Sequence, residues 1–285
     1  MALKLSNTRD LVEPSKLRLK ILIHGMAGVG KTSFLATANS PEHQRKLLVG
    51  SCETGHGRGL LSVAYAGFDF CELNNYNEFE EFCSGVAGKP YDVLGLDSLS
   101  WANKTFIKDK ALSMPRGKGE SQKRAMGVPE LDDYGTMAEL ARKLIQKLID
   151  QPQHVIVTAG LRIDKPDADN GGETLIGPDL PGQMFLGSTA MFDLVLCLRT
   201  RSVLRDPRDA KSRYTERYFV TENTGGILAK NRLSVSDKGL SFLPPEVLFD
   251  ISKGIGTFDY ILEVAKAAYT EFLQKHPAQV AAIKI

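Results

Sequence analysis

No stretch of the 285-residue chain approaches the ~18 consecutive apolar residues of a membrane span. Met1 to Lys20 alternates charged with apolar residues and has no secretory hydrophobic core. The reading is a soluble, cytoplasmic protein with no membrane partner. Cysteine is scarce: Cys52, Cys71, Cys83 and Cys197 stand far apart with no C-x-x-C pair. They read as buried thiols in a reducing compartment, and no zinc-site spacing is present. Charge of one sign is missing too, because 36 Lys and Arg face 34 Asp and Glu for a net charge of +2. That balance implies no polyanion partner by itself, so any nucleic-acid argument must come from local clusters. There is no internal repeat, heptad array or low-complexity tract. Aromatics make up 8% of the chain, and Phe79, Phe82, Trp101 and Phe192 read as core residues.

With 42% hydrophobic and 25% charged residues, the chain can bury one large α/β core. Apolar runs bounded by polar ends recur in alternation with helical periodicities, which is the pattern of a mostly parallel central sheet flanked by helices. Strands are expected at residues 19–24, 46–51, 91–96, 154–159 and 191–198. Residues 214–221 and 227–233 flank the turn Glu222-Asn-Thr-Gly-Gly226 and read as an antiparallel hairpin at the C-terminal edge. Leu131, Tyr134, Ala138, Ala141, Leu144, Ile145 and Leu148 recur at i, i+3, i+4 spacing and predict a helix over 131–149. A last helix is expected over 258–273. The division is an N-terminal arm at 1–17, a main domain at 18–250 and a helical extension at 251–285.

Residues Gly25-Met26-Ala27-Gly28-Val29-Gly30-Lys31-Thr32 complete the pattern G-x-x-x-x-G-K-[ST], behind the apolar run 19–23 and ahead of a helix-compatible stretch from Ser33. A triphosphate needs several backbone N–H groups at once, and glycines let the backbone wrap it without Cβ clashes. Lys31 is suited to the β- and γ-phosphate oxygens, and the Thr32 hydroxyl to Mg²⁺. ATP and Mg²⁺ are therefore the expected cofactors. GTP is disfavoured because neither Asn103-Lys-Thr-Phe nor Asp164-Lys-Pro-Asp satisfies [NT]-K-x-D.

Ligands of open α/β sheets collect outside the carboxyl ends of the strands, which directs attention to acidic residues there. The strand Tyr91 to Leu96 ends at Asp97, a candidate Mg²⁺ ligand, with capping of the next helix as the alternative. The strand 46–51 leads to Glu53, ahead of Thr54-Gly55-His56-Gly57. A carboxylate there could orient and deprotonate an attacking water, or be a solvated turn residue. Lys230 and Arg232 form a K-x-R pair whose side chains share one strand face. They could reach a neighbouring subunit's triphosphate, or guard an exposed edge. Residues 114–128 carry Arg116, Lys118, Lys123 and Arg124 against Glu120 alone, interleaved with glycines. Such a segment suits phosphate tracking along single-stranded DNA. Residues 162–183 form a second, more acidic candidate loop.

The order of these parts, with Val155-Ile-Val-Thr158 between them, resembles the RecA/KaiC-type P-loop ATPase core over roughly residues 20–237. Glu53-Thr-Gly, Gly95-Leu-Asp97-Ser-Leu, Asp133-Tyr-Gly135 and Gly177-Pro-Asp-Leu-Pro-Gly182 are similar to phage-encoded RecA-like ATPases linked to single-strand annealing and recombination. The resemblance implies that Glu53 activates water and that Thr158 lies near a γ-phosphate sensor position. It further implies that Lys230 and Arg232 act as fingers in trans, that a homo-oligomeric ring or filament forms, and that a single-strand-binding protein or helicase is a further partner. The expectation is an ATPase acting on single-stranded DNA in phage recombination or replication, in the bacterial host cytoplasm. The alternative is a nucleotide switch that recruits or regulates a protein such as a replicative helicase. A small-molecule kinase is a third class, with Arg199-Thr-Arg201 and residues 205–208 open to misreading as its lid.

Overall fold

The structure, a computed structural model, describes residues 13–53, 57–85, 89–114, 127–165, 172–206, 208–233 and 242–275. The strands are β1 (Lys20–His24), β2 (Leu47–Ser51), β3 (Asp69–Glu72), β4 (Val93–Asp97), β5 (His154–Ala159), β6 (Leu161–Asp164), β7 (Leu175–Pro178), β8 (Leu194–Leu204), β9 (Arg213–Val220), β10 (Lys230–Asn231) and β11 (Glu246–Leu248). The helices are α1 (Lys31–Ala36), α2 (Tyr76–Gly85), α3 (Leu99–Ala102), α4 (Lys108–Ser113), α5 (Leu131–Ile149), α6 (Met184–Met191) and α7 (Phe258–Lys275), with a π-helical turn at Asn103–Ile107 joining α3 to α4.

One nine-stranded sheet runs β11-β9-β8-β1-β5-β4-β2-β3, with β10 also pairing β8. The strands from β8 to β3 are mutually parallel, and β9, β10 and β11 close one edge antiparallel. Alternation along each central strand feeds a core on each face. Ile21, Ile23, Val93, Ile156, Leu194 and Leu196 point to the side of α1 and α7, where Phe34, Phe258 and Ile261 are buried. Leu22, Leu94, Leu96, Val155 and Val157 point to the side of α2 and α5, onto Phe79, Phe82, Leu144 and Leu148. Gly95 lets α1 come close, since a Cβ there would lie 2.6 Å from Leu35 Cδ1.

The expected helix over 131–149 is found with those bounds, closed by a reciprocal capping box between Glu130 and Asp133. The expected last helix is α7, and its Phe258, Leu262, Ala265 and Tyr269 join the main core. The C-terminal hairpin needs correction in its partners. Residues 213–220 pair with β8 from Cys197 to Leu204, and Lys230 and Asn231 pair with Val195 and Leu194. The turn at 222–226 therefore joins strands that both use β8. The reason is that β8 continues past Leu198 as an exposed ribbon, Arg199 to Leu204, which supplies a longer partner than the 227–233 segment could. Within the second candidate loop, 162–183, strands β6 and β7 form a separate two-stranded antiparallel sheet, and residues 166–171 lie outside the described residues. Leu161 and Ile176 hold that sheet against Cys197, Val220 and Ile227. All four cysteines are free, with Cys52, Cys83 and Cys197 buried and Cys71 half-buried. Among the described residues no helix is long and apolar enough to cross a membrane.

Candidate nucleotide-binding site

β1 runs into the glycine loop without a break, and α1 begins at Lys31. Gly30 sits at φ 108°, a left-handed conformation that a side chain would strain, and it turns the chain into the helix. Gly25 is held by proximity instead: a Cβ there would lie 2.6 Å from the carbonyl oxygen of Leu198. Val29 is buried in the core and pins the loop, while Met26 is exposed. The first helical hydrogen bond is Phe34 N–H to Gly30 O, so the N–H groups of Lys31, Thr32 and Ser33 have no partner within the helix. Phe34 anchors α1 edge-on to Phe219, with centroids 5.1 Å apart.

The loop opens onto a cleft of about 580 Å³. Ala27, Gly28, Gly30, Lys31, Thr32 and Ser33 line it together with Glu53 and Asp97. Lys31 Nζ donates to the carbonyls of Gly25 at 2.9 Å and Met26 at 2.8 Å. Burial lowers the pKa of Lys31, opposed by the charges of Asp97 and Glu53. Asp97 ends β4 and is 6% exposed, and its carboxylate is fixed from two sides. Thr32 Oγ1 donates to Oδ2 at 2.9 Å and Thr158 Oγ1 to Oδ1 at 2.5 Å. Because β5 lies between β1 and β4, Thr158 is directly behind that carboxylate. It is fully buried, so it steadies Asp97 and does not line the cleft where a γ-phosphate sensor would sit.

Glu53 follows β2, whose Ser51 is in register with Asp97, so the two carboxylates end neighbouring strands. Burial raises the Glu53 pKa, reinforced by Asp97 and opposed by Lys31. Residues 54–56, including His56, lie outside the described residues. Thr32 and Asp97 offer two hard oxygens side by side, as a Mg²⁺ that keeps waters and phosphate ligands requires. Among the described residues no group of three or more His, Cys, Asp or Glu side chains could hold a metal, so no all-protein cage competes with that arrangement.

Several cleft residues escape sequence reasoning. Trp101, expected in the core, is 38% exposed and lines the cleft with Ser100 and Lys104. Their positions three, four and seven after Asp97 place them on one helical face, a spacing that could have found them. Ser100 Oγ accepts from Gly160 N–H at 2.8 Å, and Lys104 pairs with Asp179. Arg217 on β9 also lines the cleft, and its Nε lies 3.5 Å from where a Gly30 Cβ would be. No linear motif marks it, because only the β8–β9 pairing brings it there. Phe79, Phe82 and Phe192 are buried as expected.

Lys230 and Arg232 stand apart from this cleft. Lys230 pairs with Val195, level with Leu22 in β1, and Arg232 N–H donates to Asp193 O. They lie toward the amino end of the parallel strands, opposite the glycine loop. Lys230 Nζ donates to the carbonyls of Thr189 and Ala190, and burial brings its pKa down to about 8. Arg116, Lys118, Lys123 and Arg124 lie outside the described residues. In the second candidate loop, Arg162 is held by Asp164 and the Leu180 carbonyl and lies over the Phe185 ring.

A family model described as an AAA domain matches residues 17–233. No curated protein matches the sequence. Among solved structures, the chain is similar to one titled as a prototypical ATPase from the type III secretion system of pathogenic bacteria, at 14% identity and a TM-score of 0.44. The match covers 78% of this chain and 60% of that one.

Proposed function

The chain belongs to the AAA domain family, and from that premise we propose that it binds ATP with Mg²⁺ and hydrolyses the γ-phosphate by in-line attack of water. One observation carries the reading: Thr32 and Asp97 meet at 2.9 Å in the cleft that also holds Lys31 and Glu53. Lys31 exchanges the Gly25 and Met26 carbonyls for β- and γ-phosphate oxygens. Thr32 and Asp97 would hold Mg²⁺, which when bound supplies positive charge against the phosphates. Glu53, made more basic by burial and by Asp97, orients the water and accepts its proton. Arg217 meets phosphate charge within the chain. Lys230 and Arg232 lie away from their own cleft, so their role as fingers requires a neighbouring copy in a ring or filament.

We further propose that turnover is coupled to single-stranded DNA, in recombination or replication of the phage type. Support comes from the path out of the cleft. Ser100, Trp101 and Lys104 lead through the π-helical turn and α4 to the basic segment 114–128, and π-turns are frequent at functional sites. A small-molecule kinase is disfavoured, because Arg201 is engaged by Glu216 and Glu246 and lies over the Tyr218 ring, which leaves it unsuited to a lid.

The test is ATP turnover and binding heat of the purified chain with Mg²⁺, with and without a single-stranded oligonucleotide. DNA-stimulated turnover supports both proposals. Turnover indifferent to DNA but altered by a helicase points to the nucleotide switch, and absence of binding heat overturns the nucleotide reading.

A further inference from the structure

A second pocket, of about 620 Å³, lies at the end of the sheet opposite the glycine loop, where β1, β2, β4 and β5 begin. Arg18, Arg45, Lys89, His154 and Lys266 line it. Asp92 and Glu263 are the carboxylates in that lining. What each group is already doing decides what the pocket can offer. Arg45 is committed, since it pairs with Asp259, donates to the Ala38 carbonyl and lies over the Phe258 ring. Lys266 stands 3.4 Å from Glu263, and Asp92 accepts from the Lys46 N–H. Arg18 donates to the carbonyls of Ser15, Leu17 and Pro152, which hold the guanidinium in place without neutralising it. Neither Arg18 nor Lys89 has a carboxylate within ion-pair distance among the described residues.

His154 is 7% exposed. Its Nδ1 accepts from the Leu19 N–H at 3.0 Å, so the neutral ring carries its proton on Nε2. No protein group accepts from that Nε2 among the described residues. Burial, followed by the charges of Arg18, Arg45, Lys20 and Lys266, pushes the His154 pKa down to about 3. The ring therefore stays a neutral N–H donor in a positive field. The set contains a guanidinium, ammonium groups and an imidazole N–H, with few acceptors to match them. A tetrahedral phosphate dianion presents acceptor oxygens in several directions and gains charge-assisted bonds from such a set.

We propose that this pocket binds a phosphate dianion, free or as a monoester, at a site separate from the nucleotide cleft. The site does not depend on the glycine loop. The full chain carrying Lys31→Ala, which disables that loop, is titrated with inorganic phosphate and in parallel with glycerol phosphate. The His154 imidazole NMR signals and the binding heat are followed together. A saturable His154 shift is expected, with affinity weakened at least about tenfold in Lys89→Glu/Lys266→Glu, whose exchanged side chains are at the surface. A response to inorganic phosphate alone identifies the free ion, and a response to both identifies a pocket open to esters. Absence of a saturable shift with either probe overturns the proposal, as does equal affinity in the charge-reversed variant. Should Lys31→Ala fold poorly, the His154 signals of the wild-type chain give the same reading, because that ring lies in this pocket alone.

Discussion

Thr158→Val tests whether the buried hydroxyl behind Asp97 holds the site together. Val keeps the branched shape of Thr and puts a methyl group in place of the hydroxyl, so the perturbation is chemical and not one of volume. The hydroxyl has one proton and two acceptors in reach, Asp97 Oδ1 at 2.5 Å and Leu96 O at 3.3 Å, and the shorter, charged one takes it. A hydrogen bond to a charged group contributes about 1.5–3 kcal/mol. Thr158 is fully buried, so no water replaces the lost donor. For a chain of this size about 1 kcal/mol moves the melting temperature by roughly 2–4 °C, which gives an expected drop of roughly 3–12 °C. Asp97 would keep only Thr32 to orient it, so Mg²⁺-dependent ATP affinity should fall as well. Thr158→Ser, which retains the hydroxyl, should restore ATP binding and part of the stability. Thermal melts and calorimetry with and without Mg²⁺ read both effects. If Thr158→Val melts within about 1 °C of wild type and binds Mg²⁺-ATP normally, the support assigned to this hydroxyl is wrong.

Glu53→Gln should leave ATP binding intact and stop turnover, measured by phosphate release, and normal turnover would remove Glu53 from the base role. The same variant has a stability signature. A raised carboxylate pKa means the folded state binds the proton more tightly, so ionised Glu53 destabilises the fold as pH rises above its ordinary 4.5. Glu53→Gln should thus melt higher than wild type at neutral pH, and the gap should close toward pH 4. Two buried histidines act in the opposite sense. Burial lowers His24 to about 4 and His154 to about 3, so stability should fall as pH drops below the ordinary 6.5, with a slope of up to about 1.4 kcal/mol per pH unit from each. Urea unfolding at pH 7 and pH 5 checks this, and equal stability at the two values would contradict the burial of both rings. Mixing Lys31→Ala with Arg232→Ala chains, each inactive alone, should recover partial ATPase activity if the finger works in trans. Arg217→Ala should raise the KM for ATP without any such complementation.

How much of this was legible in the sequence follows from how local each cause is. The glycine loop, α5 and the ends of β2 and β4 depend on neighbours within a few positions, so Lys31, Thr32 and Asp97 fall where the spacing puts them. Trp101 needed one further step: a large aromatic is usually core, but here it sits in the first turn of the helix that follows Asp97 and lines the cleft. The hairpin partners were illegible because pairing is a competition. The 227–233 segment loses β9 to the longer Arg199 to Leu204 ribbon, whose residues pair with partners nine to nineteen positions further along the chain. Arg217 was illegible for the same reason, since its cleft position exists only once β9 has chosen β8. The two most informative cations, Arg217 beside the loop and Arg18 in the far pocket, are thus set by tertiary pairing and carry no motif. Charge reversal at Arg217 should weaken ATP affinity while leaving helix content unchanged, because that side chain lies on a strand beside the glycine loop. At Arg18 the same change should also lower stability, because its guanidinium donates to the Ser15, Leu17 and Pro152 carbonyls.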